Sequence, residues 1–269
     1  MMTPNDTLSE DCHLLVNAES LSGLMDLIDI EDLLSPVKVV FTKSGATIWA
    51  HDANKTIQAF VDYPLEKYNL KSDPTYMVVE PKRMRDLLNA KFKGSQIRIT
   101  RKAGEAVTIE SKTGGKTVLY PPDLDECLVV PDHWVLPMEK GWIQFPMLDN
   151  APAQTKVTIT ADELNRGLID MRVAGASYCV FEFNDSSSQA SSGHWQTKET
   201  TSRTPIKAKV EGEDASVAFP DLLGAVTSCY PNGDELLIYK HEKTPFFILT
   251  NKADTVRILV TEAQNEGAV

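Results

Sequence analysis

Cysteine is scarce in this chain of 269 residues, and the four present, Cys12, Cys127, Cys179 and Cys229, stand far apart with no Cys-x-x-Cys pair. That is not the spacing of a zinc ribbon or of a disulfide framework, and it fits a reducing, intracellular setting. No apolar run approaches the roughly 18 residues a membrane helix needs, and no charged-then-apolar leader opens the chain, so neither insertion nor secretion is expected. The five histidines, His13, His51, His133, His194 and His241, lack metal-ligand spacing, and no Gly-x-Ser-x-Gly elbow is present. Gly114-Gly-Lys-Thr ends like a phosphate-binding loop, but position 110 is Glu and no helix follows, so it reads as a hairpin turn. His51-Asp52 reads as the polar end of a strand. No metal, cofactor or catalytic constellation is expected. Positive charge is also short: 27 Lys and Arg face 38 Asp and Glu, a net −11, and seven acids from Glu10 to Pro36 meet no cation. Such a chain does not condense on DNA by bulk electrostatics, because phosphate contacts need cations to displace counterions.

What is present is a duplication. Tyr76-Met-Val-Val-Glu-Pro-Lys-Arg-Met-Arg-Asp-Leu-Leu, then Gly94-Ser-Gln-Ile-Arg-Ile, recurs in pattern as Ala215-Ser-Val-Ala-Phe-Pro-Asp-Leu-Leu-Gly-Ala-Val, then Gly233-Asp-Glu-Leu-Leu-Ile. The offset is constant, 220 − 81 = 139 for the prolines and 233 − 94 = 139 for the glycines. Upstream, His13-Leu-Leu-Val-Asn-Ala-Glu-Ser-Leu aligns with Lys156-Val-Thr-Ile-Thr-Ala-Asp-Glu-Leu at 156 − 13 = 143. Two similar domains follow, expected over 12–122 and 155–265, with a connector over 123–154.

Each half predicts two helices. The first runs from Ser20, a possible cap, to about Ile30 with Leu21, Leu24, Met25 and Ile28 on one face. The second follows Pro81 with Met84, Leu87 and Leu88 inward; the third follows Thr160 with Leu164, Leu168 and Met171 inward. The fourth follows Pro220 and stops at Pro231-Asn-Gly. Between them lie alternating stretches such as Val37-Lys-Val-Val-Phe-Thr, Gln96-Ile-Arg-Ile-Thr, Tyr178-Cys-Val-Phe-Glu-Phe and Ile206-Lys-Ala-Lys-Val, which predict short strands. The class is α+β, with sheets bearing helices on one face. Asp185 to Arg203 is rich in Ser and Thr and reads as a mobile loop leading into an edge strand.

Two features admit both a bland and a functional reading. Lys82, Arg83, Arg85, Lys91 and Lys93 gather in and after the second helix, where Lys82 and Arg85 lie opposite the apolar face, and Arg166 and Arg172 decorate the third. They form either a solvated face or a phosphate-contacting one. The connector exposes many apolar groups, and Trp134, Leu136, Trp142 and Phe145 either fold onto the sheets or help form a groove for a partner peptide.

Taken in order, these stretches resemble the DNA sliding clamps of the proliferating cell nuclear antigen (PCNA) superfamily, over about residues 12 to 263. Lys43-Ser-Gly-Ala-Thr-Ile-Trp-Ala-His-Asp is similar to a clamp hairpin, and Leu124-Asp-Glu-Cys-Leu-Val-Val-Pro-Asp to the start of the eukaryotic interdomain connector. Thr117-Val-Leu-Tyr-Pro-Pro-Asp, Tyr230-Pro-Asn-Gly-Asp-Glu-Leu-Leu-Ile-Tyr and Val256-Arg-Ile-Leu-Val-Thr-Glu-Ala are closer to the T-even bacteriophage type. The resemblance implies the DNA clamp fold and a homotrimeric ring encircling duplex DNA without sequence preference. It also implies a replicative DNA polymerase and an ATP-dependent clamp loader as partners, no enzymatic activity, and an intracellular, DNA-associated location, the host cytoplasm if viral. A trimer would carry 3 × −11 = −33, so retention would come from encirclement.

By position, the resemblance puts Lys82, Arg83, Arg85, Arg166 and Arg172 on helices lining the hole, with Lys91 and Lys93 at its rim. It assigns partner binding to Leu124, Leu128, Val129, Val130, Trp134, Leu259 and Val260, and subunit contact to Lys116, Val118 and Tyr120 against Trp195 and Thr197 of a neighbour. The chain departs from the family in the first and fourth helices, almost without cations, in a long connector, and in Leu259-Val-Thr-Glu where the eukaryotic ending is Leu-Ala-Pro. The alternatives are a clamp-fold scaffold or decoy that binds clamp partners without encircling DNA, and a hydrolase using residues such as His51.

Overall fold

The computed structural model describes residues 11–29, 36–51, 57–71, 74–102, 105–120, 136–176, 178–184, 187–193, 200–220 and 230–262. The chain divides into two compact units, the first drawn from residues 1–53 and 59–134, the second from 54–58 and 135–269.

The first unit runs β1 (Cys12–Asn17), α1 (Ala18–Ile28), β2 (Val37–Thr42), β3 (Gly45–His51), β4 (Ile57–Tyr63), β5 (Asn69–Leu70), β6 (Thr75–Val79), α2 (Pro81–Lys91), β7 (Gln96–Arg101), β8 (Val107–Ser111) and β9 (Lys116–Leu119). One sheet has the order β5-β1-β7-β8-β9; the other strands lie in the order β4-β3-β2-β6. The second unit opens with a small meander, β10 (Met138–Glu139), β11 (Trp142–Phe145) and β12 (Ala151–Pro152). It continues with β13 (Thr155–Thr160), α3 (Ala161–Val173), β14 (Tyr178–Phe183), β15 (Ser188–Gly193), β16 (Thr200–Ile206), β17 (Ala208–Gly212), β18 (Ala215–Phe219), β19 (Glu235–Lys240), β20 (Phe246–Asn251) and β21 (Val256–Thr261). Its strand orders are β17-β13-β19-β20-β21 and β16-β15-β14-β18. The two units therefore match strand for strand, with 155 − 12 = 143 between β1 and β13 and 235 − 96 = 139 between β7 and β19. Among the described residues the paired strands run antiparallel, as their short hairpin connections require.

Local chemistry accounts for the elements. In β2 the side chains of Val37, Val39 and Phe41 are buried while Lys38, Val40 and Thr42 are half-buried, the alternation of a strand with one core face. Gly45 opens β3 at φ +150°, and a Cβ there would lie 2.3 Å from the Tyr63 carbonyl oxygen, so only glycine fits this approach. α1 begins at Ala18 rather than at Ser20: Asn17, the last residue of β1, accepts from the Glu19 and Ser20 amides at 2.8 and 3.2 Å and takes the capping role. α2 starts on Pro81 as expected, burying Met84 and Leu88 while Leu87 stays half-buried. Thr160 caps α3 through the Glu163 amide, and Leu164, Leu168 and Met171 are buried. The fourth expected helix falls on residues outside the described set.

Two sequence expectations change. The Ser/Thr-rich stretch contributes a hairpin, β15 with β16, in its described part, since Ser188, Ala190 and Ser192 alternate inward and the ladder satisfies the backbone. Ile206-Lys-Ala-Lys-Val is two strands in two sheets, and at the switch the Lys207 amide donates to Glu163 Oε2 at 3.0 Å instead of to a ladder. His51 ends β3 as expected, and its side chain is buried, 5 % exposed. The core of the second unit is aromatic: Phe181 and Phe219 lie 4.9 Å apart between ring centroids and Phe219 and Phe247 4.4 Å apart. α3 lies across β14 to β16, and Gly167 is what lets it sit close.

Candidate functional site

The basic helix α2 presents Lys82 and Arg83 to solvent because its apolar residues, Met84 and Leu88, face inward toward α1. Arg85 is different. Its guanidinium pairs with Asp29, with Asp26 at 3.5 Å and with Asp86 at 3.4 Å, and its side chain is only a quarter exposed. Burial alone would lower its pKa, but Asp29, the hydrogen bond to Asp86 and Asp26 outweigh that and hold it above its ordinary value. Arg85 thus neutralises part of the acidic stretch of its own unit. Lys91 ends the helix, where a cation suits the dipole, with Nζ 3.5 Å from Thr117 Oγ1, and Lys93 is exposed in the following turn.

On α3, Asp162 and Glu163 occupy the first turn and Arg172 the last, the charge order the helix dipole favours. Arg166 donates to Glu163 Oε2 at 2.7 Å and to the Pro205 carbonyl. Its side chain is 48 % exposed, and a pair so solvated contributes about 0–1 kcal/mol, little enough to exchange for a phosphate. The chemistry available on both helices is that of solvated cations on a rigid rod, able to meet phosphate oxygens.

Leu124, Leu128, Val129, Val130 and Trp134, expected in a partner groove, lie outside the described residues. Leu259 and Val260 are 5 % and 0 % exposed, because β21 is buried along most of its length, so neither side chain offers surface. Leu136, just beyond the expected groove residues, is held firmly: Arg257 Nη1 donates to its carbonyl at 2.5 Å while Nε bonds Asp254 at 2.6 Å. The aromatic residues that follow fold onto the second unit. Phe145 is fully buried with His241 and Phe246, each 5.8 Å away between ring centroids, Lys156 stands over Trp142 at 5.9 Å, and Tyr239 Oη donates to Gly141 O at 3.0 Å. Nearby, a cleft of about 550 Å³ is lined by Thr155, Glu213, Lys240, Glu242, Thr244 and Glu262, a polar wall that the sequence reading missed. Its walls join residues distant in sequence, so no local motif signals it. Within it the Lys240 ammonium donates to Thr244 O at 2.6 Å and Phe246 O at 3.4 Å, and it ion-pairs with Glu262 at 2.8 Å without good hydrogen-bond alignment.

Of the expected subunit contacts, Lys116, Val118 and Tyr120 lie on or just after β9, the outer strand of its sheet order, with Val118 47 % and Tyr120 80 % exposed. Trp195 and Thr197 lie outside the described residues; the neighbouring β16 is an outer strand too. The sequence reading also missed an apolar groove at the end of β9, lined by Met77, Val79, Met84, Val107, Leu119 and Tyr120 with Glu80 and Arg83 at its rim. Among the described residues no cluster of His, Cys, Asp and Glu could hold a metal ion, and no helix is long and apolar enough to cross a membrane.

No protein-family profile matches the chain, and no curated protein matches it in sequence. Solved structures do match. The PCNA of A. fulgidus, in a structure with the C-terminal region of FEN-1 bound, is 13 % identical with a TM-score of 0.66, over 94 % of this chain and 97 % of that one. The PCNA of Entamoeba histolytica is 10 % identical with a TM-score of 0.68, over 94 % and 99 %. That of Thermococcus kodakaraensis is 15 % identical with a TM-score of 0.66, over 94 % and 100 %. The chain has the α+β fold of the PCNA clamps along nearly its whole length.

Proposed function

We propose that this chain is a DNA sliding clamp, a non-enzymatic processivity factor that closes into a homotrimeric ring around duplex DNA. The observation that carries the reading is the strand-for-strand duplication inside a fold shared end to end with PCNA chains. The domain scheme is two clamp domains, 12–122 and 155–265, joined by the connector 123–154. Lys82, Arg83, Arg166 and Arg172 face the duplex, with Lys91 and Lys93 at the rim and Arg85 supporting its own unit. A replicative polymerase tethered by a short peptide, and an ATP-dependent loader, complete the system inside the cell. Leu124, Leu128, Val129, Val130 and Trp134 are the peptide-binding candidates.

The test is absolute mass by light scattering together with electron microscopy of the particles. A trimer of 3 × 29.8 = 89.4 kDa with a central hole is expected; a compact monomer at tens of micromolar would refute the ring. A second reading, a clamp-fold scaffold that binds clamp partners without encircling DNA, draws support from the engagement of Arg85 by Asp26 and Asp29, which takes one of the expected DNA-facing cations out of play. It predicts particles that a loader cannot place on primed circular DNA.

A further inference from the structure

The helix pair of the first unit carries charges of the wrong sign for its own dipoles. Ser22 Oγ donates to Asn89 Oδ1 at 3.1 Å, and one turn further along α1 Asp26 meets Arg85, one turn back along α2. The helices are therefore antiparallel, and the C-terminal end of α1 lies beside the N-terminal end of α2. A helix dipole favours acids at its N-terminus and cations at its C-terminus. Here α1 closes on Asp26 and Asp29 with no cation in its last turn, while α2 opens with Lys82 and Arg83, then Arg85, with no acid in its first turn. The same chain follows the favoured order on α3, with Asp162 and Glu163 first and Arg172 last.

We propose that Asp26 and Asp29 stand in for DNA phosphates, occupying Arg85 and keeping the hold of α2 on the duplex weak. The inference rests on the DNA-encircling reading above and concerns how tightly that surface grips.

The chemistry is matched, because a carboxylate offers a guanidinium two acceptor oxygens much as a phosphate does. Arg85 Nη1 donates to Asp29 Oδ2 and to Asp26 Oδ1 at 3.5 Å, and Nε donates to Asp86 Oδ1 at 3.4 Å. Three carboxylates exceed what one guanidinium needs, 1 − 3 = −2, and the surplus balances the two charges of Lys82 and Arg83 at the same end of α2. The joined helix ends thus hold three cations and no net charge. The open surface of α1 is acidic throughout, since Glu19 and Asp26 are its exposed residues. Asp26 is 56 % exposed, so the competitor meets the same solvent as the cations it restrains.

Stability does not account for the arrangement. Ion pairs this solvated contribute modestly, and helix ends with dipole-matched charges would do as well without a partner. A local rule broken on both helices and mended only by their packing points to a demand outside folding. Sliding supplies one. Each phosphate contact adds affinity and salt dependence, whereas a ring retained by encirclement gains no retention from a tight grip.

The test uses the full chain and fluorescence anisotropy of a short linear duplex over a salt series. Asp26→Asn combined with Asp29→Asn releases Arg85 for one further phosphate, so binding is expected to tighten about tenfold at about 50 mM salt and the salt slope to steepen by about 0.9. Arg85→Ala is expected to change the affinity of the parent by less than about twofold, yet in the Asn pair to return it to the parent value, with circular dichroism spectra unchanged throughout. Asp29→Asn alone gives a smaller gain of the same kind and serves if the pair fails to fold. An Asn pair that binds no tighter than the parent overturns the inference. So does a gain that survives Arg85→Ala, because it then comes from lost negative charge alone. Lys82→Ala separates this failure from that of the underlying reading: weaker binding leaves α2 facing DNA, whereas no change in Lys82→Ala and none in the Asn pair removes both.

Discussion

Gly167→Ala adds one methyl group to α3, and its effect follows from two opposing magnitudes. In a helix interior, alanine is favoured over glycine by about 1 kcal/mol, so on an exposed face the change would stabilise. Here the added Cβ would lie 2.6 Å from Phe181 Cζ and 2.9 Å from Ala190 Cβ, both buried, where no flexible end can give way. Overpacking of that kind costs on the order of 2 kcal/mol, leaving a net loss of about 1 kcal/mol. Relief would require α3 to lift from β15, straining the contacts of Glu163, Arg166 and Asp170 with β16. Gly23→Ala in α1 is the matched control, since its Cβ meets only the hydroxyl of half-buried Tyr63 at 3.2 Å, and a change between neutral and about 1 kcal/mol of stabilisation is expected. Urea unfolding of both variants reads the difference. A Gly167→Ala protein as stable as the parent would show that α3 does not lie on Phe181 and Ala190 as closely as Gly167 allows.

Lys240→Met removes the ammonium that donates to the buried Thr244 carbonyl and pairs with half-buried Glu262, while the Phe246 carbonyl keeps the Thr244 hydroxyl; a loss of about 2 kcal/mol is expected in the same assay, and an unchanged midpoint would contradict it. Arg85→Ala leaves Asp26, Asp29 and Asp86 without their cation and is expected to cost about 1 kcal/mol, narrowing at high salt, whereas Lys82→Ala, removing a fully solvated side chain, is neutral. Equal effects from the two would erase the distinction between supporting and DNA-facing cations. Burial pushes the Cys12 and Cys179 thiols from 9.0 up to about 12 and the Tyr239 phenol from 10.0 up to about 12. Above pH 9 the unfolded chain sheds these protons first and binds fewer than the folded one, so stability, level below that pH, is expected to fall as pH rises toward 12. A pH titration of the urea midpoint with no decline in this window would refute the burial of those groups.

Much of the architecture was legible in residue order because the forces behind it are local or repeated. The constant offsets between the halves, a signal of repetition along the chain, reappear between β1 and β13 and between β7 and β19, while Pro81 and Thr160 announced helix starts and Gly114-Gly-Lys-Thr was read correctly as a turn, each from residues within a few positions of one another. The charge balance is a property of composition that folding leaves unchanged. What only the tertiary structure decided concerns groups whose partners lie far along the chain. Nothing near Arg85 in sequence says that Asp26 and Asp29 will claim it, and nothing near Arg166 says that the Pro205 carbonyl will. The Ser/Thr-rich stretch looked like a loop because its stability comes from the ladder of β14, β15 and β16, which no single segment encodes. Whether Leu259 and Val260 meet solvent, and whether Val173 does, depends on what packs over them, since an apolar side chain is identical in sequence whether it is buried in a core or left exposed.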